Sequence, residues 1–160
     1  MILEVDGREV EVLASPLATL QAVLRTQLGR TGVKDGCRQG GCGSCTVLVD
    51  GEPMLSCLLP VRDVAGRRVT TIEGLGAEAD LHPVQAAFLD HNGFQCGYCT
   101  PGMELVAAAL LEHDPRPSRE AIGEALSGNV CRCTGYLPIV EAIEAAVAQP
   151  AGREGGSPDA

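Results

Sequence analysis

The chain has 160 residues, 21% of them charged, and a formal net charge of −9, which without any basic run argues against nucleic acid as a partner. No apolar stretch approaches the length of a membrane span, which needs about 18 residues, so we expect no transmembrane segment. With no tryptophan, two tyrosines and two phenylalanines, the core must be built from aliphatic side chains.

The first residues alternate between apolar and polar side chains, which is typical of β-strands. Residues 2–5 and 10–13 are predicted strands on either side of Asp6-Gly7, a two-residue hairpin signal. The N-terminus lacks the basic start and apolar core of a signal peptide. We therefore expect a cytoplasmic protein, a reducing setting in which its eight cysteines would serve metals rather than disulfides.

A helix is predicted after this hairpin. Ser15 suits its N-cap and Pro16 its first position, while Gly29 stands where a helix would end. Its apolar residues follow at helical spacing, at Leu17, Leu20, Leu24 and Leu28.

The loop that follows holds most of a first cysteine group. Four cysteines follow the spacing C-x4-C-x2-C-x11-C: Cys37, Cys42, Cys45 and Cys57. This is the plant-type [2Fe–2S] ferredoxin pattern. Structural zinc sites favour two C-x2-4-C pairs, and disulfide frameworks suit secreted proteins, so both alternatives fit less well. The glycines of the loop are expected to supply unusual backbone angles and close approach to the sulfurs: Gly36, Gly40, Gly41 and Gly43.

A second hairpin and a closing strand are predicted beyond this loop. The strand over residues 46–49 turns at Asp50-Gly51 into a second strand that runs through Leu55 and Leu58. Residues 69–72 are predicted to close the sheet. Strands around one helix, with a cysteine loop at the edge, predict a β-grasp domain of the ferredoxin type.

The pattern becomes helical from about residue 82. Four helices are predicted, opening at Pro83, at Thr100-Pro101, after the N-cap Ser118 and at Pro138. The second has the clearest apolar stripe: Met103, Val106, Ala107, Leu110 and Leu111. Four short helices imply a small bundle.

The second cysteine group lies within this helical half. Cys96 and Cys99 form a C-x2-C pair, and Cys131 and Cys133 form a C-x-C pair, with 31 residues between the two pairs. On spacing alone, this group suits zinc and an iron–sulfur cluster equally. Both pairs fall at predicted helix ends, where free N–H groups favour bound anions.

These patterns define an α+β chain with two domains. We expect an N-terminal β-grasp plant-type ferredoxin domain over residues 1–75 and a C-terminal four-helix bundle domain over residues 82–148. Residues 74–82 are the predicted linker, and the tail over residues 149–160 is predicted to be disordered.

With both cysteine groups in view, the chain resembles the small iron–sulfur subunit of the molybdenum hydroxylases. This is the xanthine oxidase family, which includes aldehyde, carbon monoxide, nicotine and other N-heterocycle dehydrogenases. The resemblance extends from residue 1 to about residue 148. The matching segments, in the family order, are GCRQGGCGSCTVLVDG (36–51), TTIEGL (70–75), QCGYCTPGM (95–103) and GNVCRCTGY (128–136). One departure is Ser44, where alanine is commoner.

The resemblance implies two [2Fe–2S] clusters, with the second group as ligands of the second cluster. It also implies a large partner subunit that carries a molybdopterin cofactor and binds the substrate, and a medium partner subunit that carries FAD, as a dimer of heterotrimers. Electrons would pass from molybdenum through the helical-domain cluster and then the β-grasp cluster to flavin. Gln95 matches a residue that hydrogen-bonds the pterin, and Cys133 matches the ligand nearest to it. This chain would have no catalytic residue or substrate site of its own.

The leading hypothesis is therefore an electron-transfer subunit of a heterotrimeric molybdenum-containing oxidoreductase. A stand-alone two-cluster electron carrier and a zinc-stabilised interaction module are the alternatives.

Overall fold

The computed structural model describes residues 1–77 and 79–147, so residue 148 and the predicted tail over 149–160 lie outside the described residues. The chain is a mixed α+β structure with one five-stranded sheet and a set of helices. The strands are β1 (Ile2–Val5), β2 (Arg8–Glu11), β3 (Thr46–Val49), β4 (Glu52–Leu55) and β5 (Arg68–Thr70). The helices are α1 (Leu20–Thr26), α2 (Ile72–Leu75), α3 (Pro83–Asp90), α4 (Thr100–His113), α5 (Arg119–Ala125) and α6 (Leu137–Val147).

Two tight hairpins shape the sheet, whose strand order is β2-β1-β5-β3-β4. In the first, β1 and β2 pair antiparallel around Asp6-Gly7, with φ angles of 51° and 72°. In the second, β3 and β4 pair around Asp50-Gly51, with φ angles of 54° and 92°. Positive φ at both central residues is typical of the turns that match strand twist, so both predicted hairpin turns are confirmed, but β2 occupies Arg8–Glu11 rather than the predicted residues 10–13 because the two-residue turn pairs Arg8 directly with Val5. Strand β5 joins the two hairpins, because it pairs parallel with β1 and antiparallel with β3.

The predicted start of the first helix is wrong. The helix begins at Leu20, and its N-cap is Thr19, whose side chain accepts a hydrogen bond from the Ala22 N–H at 3.2 Å. The chain before it is extended because residues 18–20 pair with residues 59–61 through backbone hydrogen bonds. Ser15 and Pro16 therefore form a turn ahead of this pairing. The predicted end is also displaced, because α1 ends at Thr26 with Gln27 as its C-cap, and Gly29, with a φ of 68°, lies two residues beyond that cap.

The end of the second hairpin also differs from the prediction. Strand β4 stops at Leu55, and a turn closed by the Leu58 N–H on the Leu55 carbonyl follows. This turn leaves Leu58 exposed and places Cys57 in the core. The last strand likewise ends at Thr70, and Ile72 begins the short helix α2.

The helical half follows its predicted openings closely. Helices α3 and α4 begin at Pro83 and Thr100, Ser118 caps α5 through its hydroxyl, and α6 begins at Leu137, one residue before Pro138. None of the helices in the two described ranges has the length and apolar character needed to span a bilayer.

Three apolar clusters hold the chain together. The first lies between the sheet and α1 and includes Leu3, Leu20 and Leu24. The second lies among α3, α4, α5 and α6. The third joins the two halves, since Leu105 and Ala109 of α4 pack against Leu48 on the opposite face of β3. Strand β3 is consequently buried on both faces, and the sequence pattern of α4 showed only the side that faces the other helices.

Close backbone approach marks the point where the halves meet. The side chain of Asn129, which is 4% exposed, donates from Nδ2 to the Gly43 carbonyl at 3.0 Å. The Val130 N–H donates to the Cys42 carbonyl at 2.9 Å. A Cβ added to Gly102 would lie 2.7 Å from the Gly43 carbonyl oxygen, so α4 can pass this loop only because residue 102 is glycine.

We predict that Gly102→Ala destabilises the protein by about 1–3 kcal/mol, because overpacking against a backbone oxygen outweighs the helix-propensity gain. The matched control is Gly123→Ala in α5, where an added Cβ meets no atom within 4 Å. That control should stabilise by about 0.5–1 kcal/mol. Urea unfolding of the full chain measures both, and equal stabilisation by the two substitutions would contradict the close contact.

Candidate metal centres

The first cysteine group is positioned by the β3–β4 hairpin and the loop before it. Cys45 immediately precedes β3 and Cys57 follows β4, and the pairing of Thr46 with Leu55 brings these two ends together. Both cysteines are buried, with 2% and 6% exposure. Cys37 and Cys42 lie on the loop and are half-buried.

The loop wraps the sulfur of Cys37 with backbone donors. The N–H groups of Gln39 and Gly41 lie 3.5 Å and 3.2 Å from Cys37 Sγ. Arg38 and Gly40 make this possible with left-handed φ angles of 56° and 79°. The Gln39 backbone bond, a bond with the Cys42 side chain and further backbone bonds outweigh burial and lower the pKa of Cys37 to about 7.

Gly36 and Gly43 act through close approach, as predicted, whereas the prediction is wrong for Gly41, which lacks a positive φ and where an added Cβ would meet no atom within 4 Å. A Cβ on Gly36 would lie 2.8 Å from Cys42 Sγ and 2.7 Å from Ser44 Oγ. Gly43 has a φ of 70°, and a Cβ there would lie 2.4 Å from the Gly128 carbonyl oxygen. The loop can therefore hold its sulfurs and touch the helical half only with glycine at these positions.

The second group lies between helix ends. Cys99 is the residue before α4, and Cys131 and Cys133 lie in the loop before α6. Tyr136 fastens this loop, because its hydroxyl donates to the Asn129 carbonyl at 3.1 Å and accepts the Cys131 N–H at 2.9 Å. The Cys131 sulfur is within 3.2 Å of the Thr134 hydroxyl.

The eight thiols are free and arranged in four pairs. The Cys37 thiol interacts with that of Cys42, the Cys45 thiol with that of Cys57, and the Cys99 thiol with that of Cys131, and each interaction shifts the pKa of a thiol. The fourth pair is Cys96 and Cys133, whose sulfurs are 3.6 Å apart. Each half of the chain therefore presents two pairs of thiols.

Burial disfavours the thiolate form of two of the cysteines when no cation is nearby. It raises the pKa of Cys45 to about 11 and the pKa of Cys99 to about 12. Burial also acts to raise the pKa of Cys131, but hydrogen bonds from Thr134 and the backbone outweigh it and lower that pKa to about 7. Each group thus combines one thiol that ionises readily with one that requires a bound metal to become a thiolate.

The paired arrangement fits a two-iron cluster. A tetrahedral metal with metal–sulfur bonds of about 2.3 Å separates two of its thiolates by about 3.7 Å, close to the 3.6 Å between Cys96 and Cys133. In a [2Fe–2S] cluster each iron takes two protein thiolates and two bridging sulfides, so two pairs per half are what such a cluster requires. Across residues 1–77 and 79–147, no three His, Cys, Asp or Glu side chains are grouped as ligands of a single metal ion.

The predicted contact residues lie at an exposed edge of the second group. Cys96 and Cys133 are exposed, and Gln95, the residue before Cys96, is exposed as well. Sequence reasoning did not single out Asn129, Thr134 or Tyr136, although all three lie within the segment GNVCRCTGY. Their signal is a polar side chain within three residues of a cysteine, a pattern too common in loops to assign a role without coordinates.

Each half of the chain matches a known protein family. Residues 3–68 match a family model described as a 2Fe-2S iron-sulfur cluster binding domain, and residues 71–144 match one described as a [2Fe-2S] binding domain. The chain thus contains two [2Fe–2S]-binding domains.

Similar proteins include separate subunits as well as longer chains. One nicotinate dehydrogenase subunit from Pseudomonas putida is 48% identical over 144 residues, which cover 90% of this chain and 92% of that protein. Aldehyde oxidoreductase of Megalodesulfovibrio gigas is 45% identical over 92% of this chain, but the chain spans only 16% of that protein.

A solved structure gives the same result. Quinoline 2-oxidoreductase from Pseudomonas putida 86 contains a chain with a TM-score of 0.88 and 41% identity, covering 92% of this chain and 93% of the other. With two [2Fe–2S]-binding domains and a relative 48% identical along nearly its whole length, the chain belongs to the small iron–sulfur subunits of the molybdenum hydroxylase family.

Proposed function

We propose that this chain passes electrons from a molybdopterin centre in a large partner subunit, through its own two clusters, to FAD in a medium partner subunit. The observation that carries this proposal is the direct main-chain contact between two loops, one carrying cysteines of the first group and the other carrying cysteines of the second group. When bound, the two [2Fe–2S] clusters supply one-electron carriers. The similar protein from Pseudomonas putida is named as one subunit of nicotinate dehydrogenase, which favours a role within a complex over a stand-alone carrier.

The ligand sets of the proposal follow the two groups. We assign the first cluster to Cys37, Cys42, Cys45 and Cys57 and the second to Cys96, Cys99, Cys131 and Cys133. The thiol pairing, the free state of all eight cysteines and the sulfur separation support these sets. The sheet with α1 packed against it supports a β-grasp domain over residues 1–75, and helices α3 to α6 support a four-helix domain over residues 82–148.

The contact between the loops gives electrons a short route within the chain. Val130 precedes Cys131, and its N–H donates to the carbonyl of Cys42 at 2.9 Å. One hydrogen bond therefore joins the backbone of a proposed first-cluster ligand to the residue beside a proposed second-cluster ligand. Because electron tunnelling weakens steeply with distance, a route through bonds and one hydrogen bond favours transfer between the two sites.

The exposed edge of the second group supports entry of electrons there. Gln95, Cys96 and Cys133 all lie at the surface of this chain, so another subunit can approach them. We propose that this edge faces the molybdenum-bearing subunit, with Gln95 hydrogen-bonded to the pterin and Cys133 as the nearest ligand. A dimer of heterotrimers and a cytoplasmic location complete the proposal.

The assembly is tested by purifying the complex through a tag on this chain. We expect molybdenum and FAD to copurify, together with two further subunits. A chain that purifies alone with its clusters intact, under conditions in which all three genes are expressed, would favour a stand-alone carrier.

Each cluster should depend on its own cysteines. We predict two [2Fe–2S] clusters, hence about four irons and four acid-labile sulfides per chain, with two distinct EPR signals after reduction. Cys57→Ser should disturb only the first signal and Cys131→Ser only the second. Each variant is the control for the other. Tightly bound zinc without labile sulfide, or loss of both signals in a folded single variant, would contradict the ligand sets.

Gln95→Ala should slow cluster reduction by substrate while leaving both clusters present. Loss of one polar contact costs about 1 kcal/mol, which corresponds to a rate about fivefold lower. The matched control is Gln39→Ala, an exposed glutamine beside Cys37 in the other half. Rapid-reaction absorbance in the assembled complex measures both, and an unchanged rate in Gln95→Ala with molybdenum content intact would remove Gln95 from the electron path.

A further inference from the structure

We propose that the Ser44 hydroxyl raises the reduction potential of the first cluster by donating a hydrogen bond to the sulfur of Cys42. Ser44 is thus not a ligand itself but acts on the charge of the cluster through the ligand Cys42. The proposal rests on the proposed function, because it requires a cluster bound to Cys42.

The hydroxyl and the sulfur are neighbours in a tight pocket of the cysteine loop. Ser44 is 5% exposed, and its Oγ lies 3.1 Å from Cys42 Sγ. The backbone of Ser44 is held in place by the Lys34 N–H, which donates to the Ser44 carbonyl at 3.1 Å. A Cβ on Gly36 would lie 2.7 Å from the Ser44 Oγ and 2.8 Å from the Cys42 sulfur, so glycine at position 36 leaves the space in which they meet.

The direction of this hydrogen bond is fixed by the chemistry of a cluster ligand. In the free protein either the thiol or the hydroxyl could donate. A cysteine bound to iron is a thiolate without a proton, so it can only accept. With a cluster in place, the Ser44 hydroxyl must therefore be the donor.

A donor at this position favours the reduced cluster. The added electron increases the negative charge on the sulfurs, so a hydrogen bond to one of them stabilises the reduced state more than the oxidised state. The buried position of Ser44 strengthens the effect because little water competes for its hydroxyl.

This donor differs from the others around the first group because it depends on the side chain. The donors to Cys37 Sγ are the backbone N–H groups of Gln39 and Gly41, which most residues would supply equally. An alanine at position 44 would have no such donor. In the helical half, the Thr134 hydroxyl lies 3.2 Å from Cys131 Sγ, but Thr134 is only half-buried.

The consequence concerns the direction of electron flow. A raised potential at the first cluster draws electrons toward it from the second cluster, in the direction of the flavin-bearing subunit. The residue would therefore shift the electron-sharing equilibrium between two clusters whose loops are already in contact.

The test is Ser44→Ala in the assembled complex, with the midpoint potential of each cluster measured by EPR during redox titration. We expect the midpoint potential of the first cluster to fall by about 59 mV, which for a one-electron couple changes the sharing of electrons between the clusters about tenfold. The midpoint potential of the second cluster should stay unchanged. The matched control is Ser118→Ala, which removes the hydroxyl that caps α5 and should lower thermal stability without moving either potential. An unchanged first-cluster potential, or an equal shift of both clusters, would overturn the proposal.

A second measurement covers the case in which Ser44→Ala does not assemble. In the unaltered complex, brief exchange into D2O followed by ENDOR of the reduced first cluster should reveal a strongly coupled deuteron from the hydroxyl, before the slower backbone amides exchange. Absence of that coupling would overturn the assignment. If neither cluster signal is present in the unaltered protein, the proposed function itself fails; if both are present without these effects, only the role of Ser44 fails.

Discussion

The contact between the two cysteine-bearing loops is the constraint on which the rest of the structure depends. Gly43 accepts a hydrogen bond from Asn129, 86 residues further along the chain, and Cys42 accepts one from Val130. These contacts need two backbones at close range, and glycine at positions 43 and 102 provides the space. The arrangement of α4 across β3 follows from the same approach, since Leu105 and Leu48 meet beside it. A side chain inserted at this contact would move the two halves of the chain apart, and the two cysteine groups would move apart with them.

The cysteine groups connect stability to metal binding. Cys45 and Cys99 are buried where burial raises their pKa to about 11 and about 12, so as thiolates they require a cation nearby. Bound iron would supply that charge, so cluster assembly and folding would favour each other. The chain has few aromatic residues to enlarge its hydrophobic core. Bound iron–sulfur clusters would add covalent cross-links across the hairpin and between the helix ends.

Sequence patterns predict the structure correctly where it depends on residues that are close together in the sequence. The Asp-Gly turns, the openings of α3 to α5 and the roles of Gly36, Gly40 and Gly43 can be predicted, because turn and cap geometry is decided within a few residues. The predicted start of α1 is wrong for the opposite reason. Ser15 and Pro16 form a good local start signal, but the pairing of residues 18–20 with residues 59–61 holds the chain extended until Leu20. The second apolar face of α4, with Leu105 and Ala109, is likewise visible only once β3 lies against it.

The sequence by itself determined the chemistry of this protein. Two groups of four cysteines and the motifs around them indicated iron–sulfur clusters and the family, because ligand spacing and loop glycines are properties of short segments. The tertiary structure decided how the groups are divided into thiol pairs, which cysteines are exposed at an edge and which are buried. It also decided that the Val130 N–H meets the Cys42 carbonyl and that the Ser44 hydroxyl meets the Cys42 sulfur. The first of these contacts joins segments far apart in the chain, and the second depends on the conformation of the whole loop, so neither leaves a periodic signal in the sequence.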